Sequence, residues 1–228
     1  MSAAAAPAPV DLLAAALAAG APGYGDAIEG LLDAMASAPP EGGEKFRGLD
    51  LGAAGGSLSQ LILERHGGAH MTLVEASAEL LNQARRRLAA ASERCEFVAG
   101  DFARIDLPGS YHLIVSAFAV HRLGNIDKRA LYRRAYAALV PGGTLLIADI
   151  VKPPSAQLEA HYRRRWRHLA GGPENRDFLE TAEAALDLDH GATLAEQLEW
   201  ITNAGLIDVD IHTKRWHFAV FGGRRREA

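Results

Sequence analysis

The stretch Asp50-Leu51-Gly52-Ala53-Ala54-Gly55-Gly56-Ser57 constrains the fold more than any other part of this 228-residue chain. It comes after a short apolar run (Phe46, Leu49, Leu51) and precedes a helical pattern (Leu58, Leu61, Ile62). A strand therefore ends in a glycine-rich bend that opens a helix. Glycine lets the backbone turn tightly and lets a ligand come close to the main chain. The first amides of the next helix have no intrahelical partner and face that ligand. By itself the loop implies a nucleotide-like ligand and no more.

The next hundred residues narrow the choice. A second apolar run, Met71 to Val74, ends in Glu75, about 20 residues beyond the loop. An acid at the end of a second strand can accept hydrogen bonds from two ribose hydroxyls. Ser77 then caps a helix reaching about Ala91, with Leu80, Leu81, Ala84 and Leu88 on its buried side. A third strand, Glu96 to Ala99, ends in Gly100-Asp101-Phe102, where an acid and an aromatic ring could hold an adenine. A fourth run, Leu113 to Val115, leads into Ser116-Ala117-Phe118-Ala119-Val120-His121. Asp127 is expected to cap a helix to about Val140, stopped by a turn at Pro141-Gly142-Gly143 before a fifth strand, Thr144 to Ala148.

These residues resemble the class I S-adenosylmethionine-dependent methyltransferase family, in its compact, small-molecule form. Asp50 to Gly56 is similar to the family's first motif and Glu75 to its ribose acid. Gly100-Asp101-Phe102 resembles the adenine-side motif, Leu113 to His121 the fourth motif, and Leu139 to Ile150 the segment around the fifth strand. The resemblance covers about residues 44 to 150. It implies S-adenosyl-L-methionine as cofactor. Asp50, Gly52, Ala54, Gly56, Glu75, its neighbour Ala76, Asp101, Phe102 and Ser116 are then the residues expected around it. Ala54 departs from the pattern, because a glycine is expected there and alanine resists positive φ. Either Ala54 keeps a negative φ or the loop is rearranged.

A nicotinamide-binding fold also has a glycine loop and an acid after its second strand. Here the third glycine of G-x-G-x-x-G is missing, and Asp101-Phe102 has no comparable duty in a dehydrogenase. The chain also ends in two β-like runs, Ile207 to Ile211 and Trp216 to Phe221, joined at Thr213-Lys214. Such a hairpin supplies the antiparallel edge of the methyltransferase fold. The expected architecture is α/β and Rossmann-like: a doubly wound, seven-stranded, mostly parallel sheet with an antiparallel C-terminal strand, an N-terminal helical lid and an inserted helical cap.

The expected divisions are a disordered tail at 1–9 and a lid at 10–43, holding helices at 11–19 and from Tyr24 to about Ser37. The methyltransferase domain comes next at 44–222, with its cap insertion at 152–190, and a tail closes the chain at 223–228. Tyr24 either reaches the methionine end of the cofactor or packs at a helix start. Pro153-Pro154-Ser155 opens a basic helix, Ala156 to about Ala170; a break at 171–173 precedes another, 174–188; and Thr193 with Glu196 forms a capping box for a third, ending near Gly205. An insertion leaving the carboxyl edge of the sheet is well placed to cover a substrate.

His121, just past the fourth strand, is the candidate base, with an unperturbed pKa suited to proton transfer near neutrality. The competing role is local hydrogen bonding or lining of the pocket. Asp149 is a second candidate base, though capping the following turn suits it better. In His161-Tyr162-Arg163-Arg164-Arg165-Trp166-Arg167-His168, helical spacing puts Tyr162, Trp166 and Leu169 on one side and Arg163 and Arg167 on another. Tyr162, Arg163, Trp166, His121 and Trp216 are the candidate substrate contacts. The arginines suit an anionic acceptor. A solvated basic face and core packing of the aromatics are the plainer roles.

The formal net charge of −4 gives no pull toward nucleic acid or an anionic membrane. Cys95 is the single cysteine, so no internal disulfide forms. No run spans a bilayer, no basic secretory n-region is present, and no metal-site spacing occurs. The expectation is a cytoplasmic enzyme, monomer or homodimer, that moves a methyl group onto a small molecule without a metal. Three other readings stay open: transfer of a different group from a modified sulfonium cofactor, a non-catalytic cofactor-binding protein that docks a partner, and a nicotinamide oxidoreductase.

Overall fold

The structure, a computed structural model, describes residues 22–37, 45–107, 109–170 and 191–227. The expected tail at 1–9 and the helices at 11–19 and 174–188 lie outside these residues. The elements are α1 (Tyr24–Ala34), β1 (Phe46–Leu51), α2 (Ser57–Arg65), β2 (Ala69–Glu75), α3 (Ala78–Arg87) and β3 (Cys95–Ala99). They continue as β4 (Tyr111–Ala117), α4 (Asn125–Ala138), β5 (Leu139–Ile150), α5 (Ala156–Ala170), α6 (Leu194–Asn203), β6 (Ile207–Arg215) and β7 (Phe218–Arg224).

The strands form one sheet in the order β3-β2-β1-β4-β5-β7-β6. Only β7 runs against its neighbours, as expected for a closing hairpin. Alternation along the strands divides the apolar residues between two faces. Met71, Leu73, Leu113, Val115, Leu146, Ala148 and Val220 meet α1 and α2 on one side. Leu49, Leu51, Ile114, Leu145, Ile147 and Phe221 meet α4 and α6 on the other. Both faces are thus covered, which is why the central strands read as nearly unbroken apolar runs.

Over its described part, the N-terminal segment packs on the sheet. Helix α1 lies along the sheet against β5, β7 and β6, with Tyr24, Ile28, Leu31 and Met35 buried. Tyr24, at its start, packs against Phe118, just past β4, and Phe218. The cap is described through α5, whose start is capped by Ser155, accepting from the Leu158 amide at 3.2 Å.

Three local expectations also shift. Gly124, not Asp127, holds the cap position of α4, and Asp127 falls in the first turn, where it still complements the helix dipole. Pro141-Gly142-Gly143 is not a turn between helix and strand. The chain is extended from Leu139, and Tyr111 pairs with Leu139 while Leu113 pairs with Thr144, so these residues form a bulge in β5. The hairpin turns at Trp216-His217 rather than at Thr213-Lys214, since Arg215 pairs with Phe218 and Lys214 with Ala219. Two-residue hairpin loops demand positive φ, and Trp216 supplies it at φ 51°.

The capping box of α6 forms as read: the Thr193 amide donates to Glu196 Oε2 at 2.8 Å and the Glu196 amide to Thr193 Oγ1 at 3.3 Å. Among the described residues no helix is long and apolar enough to cross a membrane.

Strand β7 passes close to β5 at Gly222, where a Cβ would land on the carbonyl oxygen of Leu145. We expect Gly222→Ala to lower unfolding free energy in urea by about 2 kcal/mol. Gly25→Ala, whose Cβ would meet nothing within 4 Å, should hold or raise it by about 0.5 kcal/mol.

Candidate active site

A cavity of about 260 Å³ opens where β1, β2 and β4 end, at the crevice expected of an open α/β sheet. Gly52, Ala54, Glu75, Ala76, Asp101 and Phe102 line it, as the sequence leads one to expect. Leu80, Ala117, Phe118, Ala119, Arg122 and Leu123 complete the wall. The loop after β1 is left-handed at every second residue, with φ of 72° at Gly52, 45° at Ala54 and 81° at Gly56. Ala54 therefore does not keep a negative φ; it adopts the conformation of the glycine expected in its place. The Ala54 amide donates to Glu75 Oε2 at 2.9 Å, and the Ser77 amide donates to Glu75 Oε1 at 2.8 Å. One half-buried carboxylate thus ties the loop to the start of α3. A Cβ on Gly52 would lie 2.5 Å from Ala119 Cβ and 3.1 Å from the Phe102 ring, so a bare backbone is required for these walls to close.

At the β3 end, Asp101 is exposed and its Oδ1 accepts from the Ala103 amide at 2.9 Å. The loop carrying Phe102 is pinned from behind by Arg134 of α4, which donates to the carbonyls of Phe102 at 3.0 Å and Ala103 at 2.7 Å. Sequence reading missed Arg134, because nothing in a helical arginine announces a loop about 30 residues away.

Three expected cofactor residues are not among those lining this cavity and make contacts within the scaffold. Asp50 is buried, and its Oδ2 accepts from the Ser59 hydroxyl at 2.7 Å, fastening α2 to the end of β1. Ser116 Oγ donates to the Leu51 carbonyl at 2.7 Å, joining β4 to β1. At Gly56 a Cβ would come within 3.0 Å of Ala84 Cβ, so that glycine lets α2 and α3 approach.

At the β4 end, Phe118 lines the cavity with its backbone at φ 54°, held by its amide donating to the Ala148 carbonyl at 2.8 Å. Tyr24 does not line the cavity. It lies one layer behind, fully buried, its ring 4.6 Å from Phe118 and 4.8 Å from Phe218. Burial, and the nearby Asp149 carboxylate, push the Tyr24 phenol above its ordinary range, so it stays neutral.

His121 sits in a short 3-10 turn, Val120–Arg122, and is 4 % exposed. Its Nδ1 lies 2.7 Å from Asp149 Oδ1, and its amide donates to Asp149 Oδ2 at 2.6 Å. The Ile150 amide also donates to Oδ1, at 2.8 Å. A fully buried carboxylate with three such contacts is placed to orient the imidazole. It caps no turn. The carboxylate engages the ring through Nδ1, which leaves Nε2 as the nitrogen turned to other partners. On the far side lie buried Lys128 and Tyr132, the latter donating to Gln197. Burial lowers the Lys128 ammonium from its ordinary value, against the pull of Asp149 and Glu196.

None of the expected substrate contacts, His121 included, is among the residues lining this cavity; His121 stands between the lining residues Ala119 and Arg122. Trp166 is fully buried, its Nε1 donating to the Pro22 carbonyl at 2.9 Å, which docks α5 on the start of α1. Leu169, expected on the same side, is 43 % exposed. Arg163 pairs with Glu159 one turn earlier. Tyr162 meets the His217 ring edge-on at 5.6 Å, and Lys214 sits over its ring at 5.2 Å. Trp216 is half-buried in the hairpin turn, with Arg215 over its ring. Among the described residues no group of three or more His, Cys, Asp or Glu is gathered to hold a metal ion.

The family profile described as "Methyltransferase domain" matches residues 49–143, the stretch from β1 to the start of β5. The trans-aconitate 2-methyltransferase of Paracidovorax citrulli (strain AAC00-1) is 29 % identical over 184 residues, covering 69 % of this chain and 67 % of that protein. The carboxy-S-adenosyl-L-methionine synthase of Chromohalobacter salexigens is 28 % identical over 204 residues, covering 87 % of this chain and 74 % of that protein. Among solved structures, the S-adenosylmethionine-dependent methyltransferase SibL in its apo form superposes with a TM-score of 0.60 at 20 % identity, over 80 % of this chain. This chain spans 51 % of SibL, about half its length.

The strain at Ala54 has a measurable consequence. A left-handed alanine costs about 1 kcal/mol relative to glycine. We expect Ala54→Gly to raise unfolding free energy by about that amount in urea titration, and no gain would mean the loop relaxes to another conformation.

Proposed function

We propose, from the premise that this chain belongs to the class I S-adenosylmethionine-dependent methyltransferase family, that it methylates a small molecule whose acceptor atom sheds a proton to His121. The donor set of the cavity suits S-adenosylmethionine. Each Glu75 oxygen accepts one amide and keeps a lone pair for a ribose hydroxyl. Asp101 offers an acceptor and Phe102 a ring for the adenine, and Gly52 opens the backbone between them. When bound, the cofactor supplies a methyl carbon activated on sulfonium sulfur. The chain's task is to align an acceptor with that carbon and keep water out.

The observation that carries this reading is the Asp149–His121 pair. A buried carboxylate holding an imidazole by one nitrogen, just past the strand where the cavity ends, leaves the other nitrogen to receive a proton. An anionic acceptor is favoured, since Arg122 brings a positive charge to the described cavity wall. The name of the Paracidovorax relative, a trans-aconitate methyltransferase, supports a carboxylate-bearing acceptor. The similarity to a carboxy-S-adenosyl-L-methionine synthase supports a second reading, in which the sulfonium carries a group other than methyl. Mass spectrometry of ligand carried through purification separates the two.

With labelled S-adenosylmethionine and a panel of small hydroxy and carboxylic acids, His121→Asn should lower kcat by about 10²–10⁴-fold while cofactor affinity stays within about two-fold. A pH-independent rate, with His121→Asn fully active, would point to an acceptor that is already anionic and remove the base. In calorimetry, Glu75→Ala should weaken S-adenosylmethionine binding by about 10- to 100-fold, the worth of hydrogen bonds to a charged group. Unchanged affinity would remove Glu75 from the ribose.

A further inference from the structure

Phe118 pairs two features that ordinarily exclude each other. It is a bulky side chain in the left-handed region, at φ 54°, and it sits on the wall of the cavity while only 5 % exposed. A non-glycine residue held there costs about 1–2 kcal/mol and persists only where its surroundings impose it. Here the Phe118 amide is fixed to the Ala148 carbonyl, and the ring is wedged against Tyr24 at 4.6 Å and Phe218 at 6.1 Å. An aromatic ring so clamped has little rotamer freedom to lose when a ligand meets it.

The order of the sheet fixes which part of a ligand that is. Asp101 and Phe102 lie at the end of β3 and Glu75 at the end of β2; β1 and β4 come next. A ligand with its adenine at β3 and its ribose at β2 therefore extends toward β4, where Phe118 stands. This step rests on the proposed cofactor. The group that arrives there is sulfur, positively charged before transfer and neutral after it.

We propose that Phe118 is a cofactor-contacting specificity residue, presenting its ring to the sulfonium centre and so favouring the charged cofactor over its demethylated, neutral product. The face of an aromatic ring attracts cations through its quadrupole. A thioether gains no such attraction. Asp149 and the wall residue Arg122 act on the Tyr24 phenol behind that ring with opposite signs, so the preference is assigned to the ring itself. The consequence is release of the spent cofactor in preference to the fresh one.

The test compares binding of S-adenosylmethionine and S-adenosylhomocysteine by calorimetry to the full chain. We expect Phe118→Leu to weaken S-adenosylmethionine by about 3- to 30-fold and S-adenosylhomocysteine by less than about two-fold. Should Phe118→Leu fail to fold, fluorinated phenylalanines at position 118 keep the shape and drain the ring of charge. Affinity for the sulfonium should then fall stepwise with fluorine count, and that for the thioether should not. An unchanged ratio of the two affinities across these variants overturns the proposal. If the wild-type chain binds neither compound, the cofactor reading fails first and takes the proposal with it, a result distinct from an unchanged ratio.

Discussion

The Glu75 carboxylate is the interaction on which the site depends. It sits on the last residue of β2, still paired with Ala99 of β3. One oxygen takes the Ala54 amide and the other takes the Ser77 amide. The first bond holds the loop in a conformation that alanine resists; the second fixes the start of α3. Both oxygens still have a lone pair turned to other donors. The same carboxylate therefore shapes the crevice and offers itself to a ligand entering it. Its hold on two backbone amides gives a structural reason for a charge at the end of an otherwise apolar strand.

Support from behind is the second theme. Arg134 holds the Phe102 loop by its carbonyls, Asp50 and Ser59 hold α2, and Asp149 holds His121. Each of these partners is buried or reaches across the sheet, and each positions a group at the carboxyl edge. The aromatic layer of Tyr24, Phe118 and Phe218 does the same by packing. Helix α1 and helix α5 meet through Trp166 and Pro22, so the cap is fastened to the element that backs the cavity.

The parts legible in the sequence are those where one residue type has one job. Apolar runs ending in Glu75 and Asp101 marked two strand ends, and the Thr193–Glu196 spacing marked a helix start. The illegible parts are those where a residue acts against its type. Alanine at position 54 takes a glycine conformation because Glu75 pulls its amide. Trp216 and His217 make a turn without glycine or asparagine, so the register of β6 and β7 had to be seen in the pairing. Trp166, among arginines, read as a pocket wall, yet its indole found the Pro22 carbonyl, a partner 144 residues away in sequence. Asp149 read as a capping group because its true partner, His121, lies on another strand's loop. Long-range polar partners leave no local pattern.

A co-crystal structure with S-adenosylhomocysteine tests the central claim most directly. The account predicts the ribose hydroxyls on the Glu75 carboxylate, the adenine between Asp101 and Phe102, and the sulfur at the Phe118 ring. A ligand seated elsewhere, or lying in the crevice with its ribose turned away from Glu75, would contradict it.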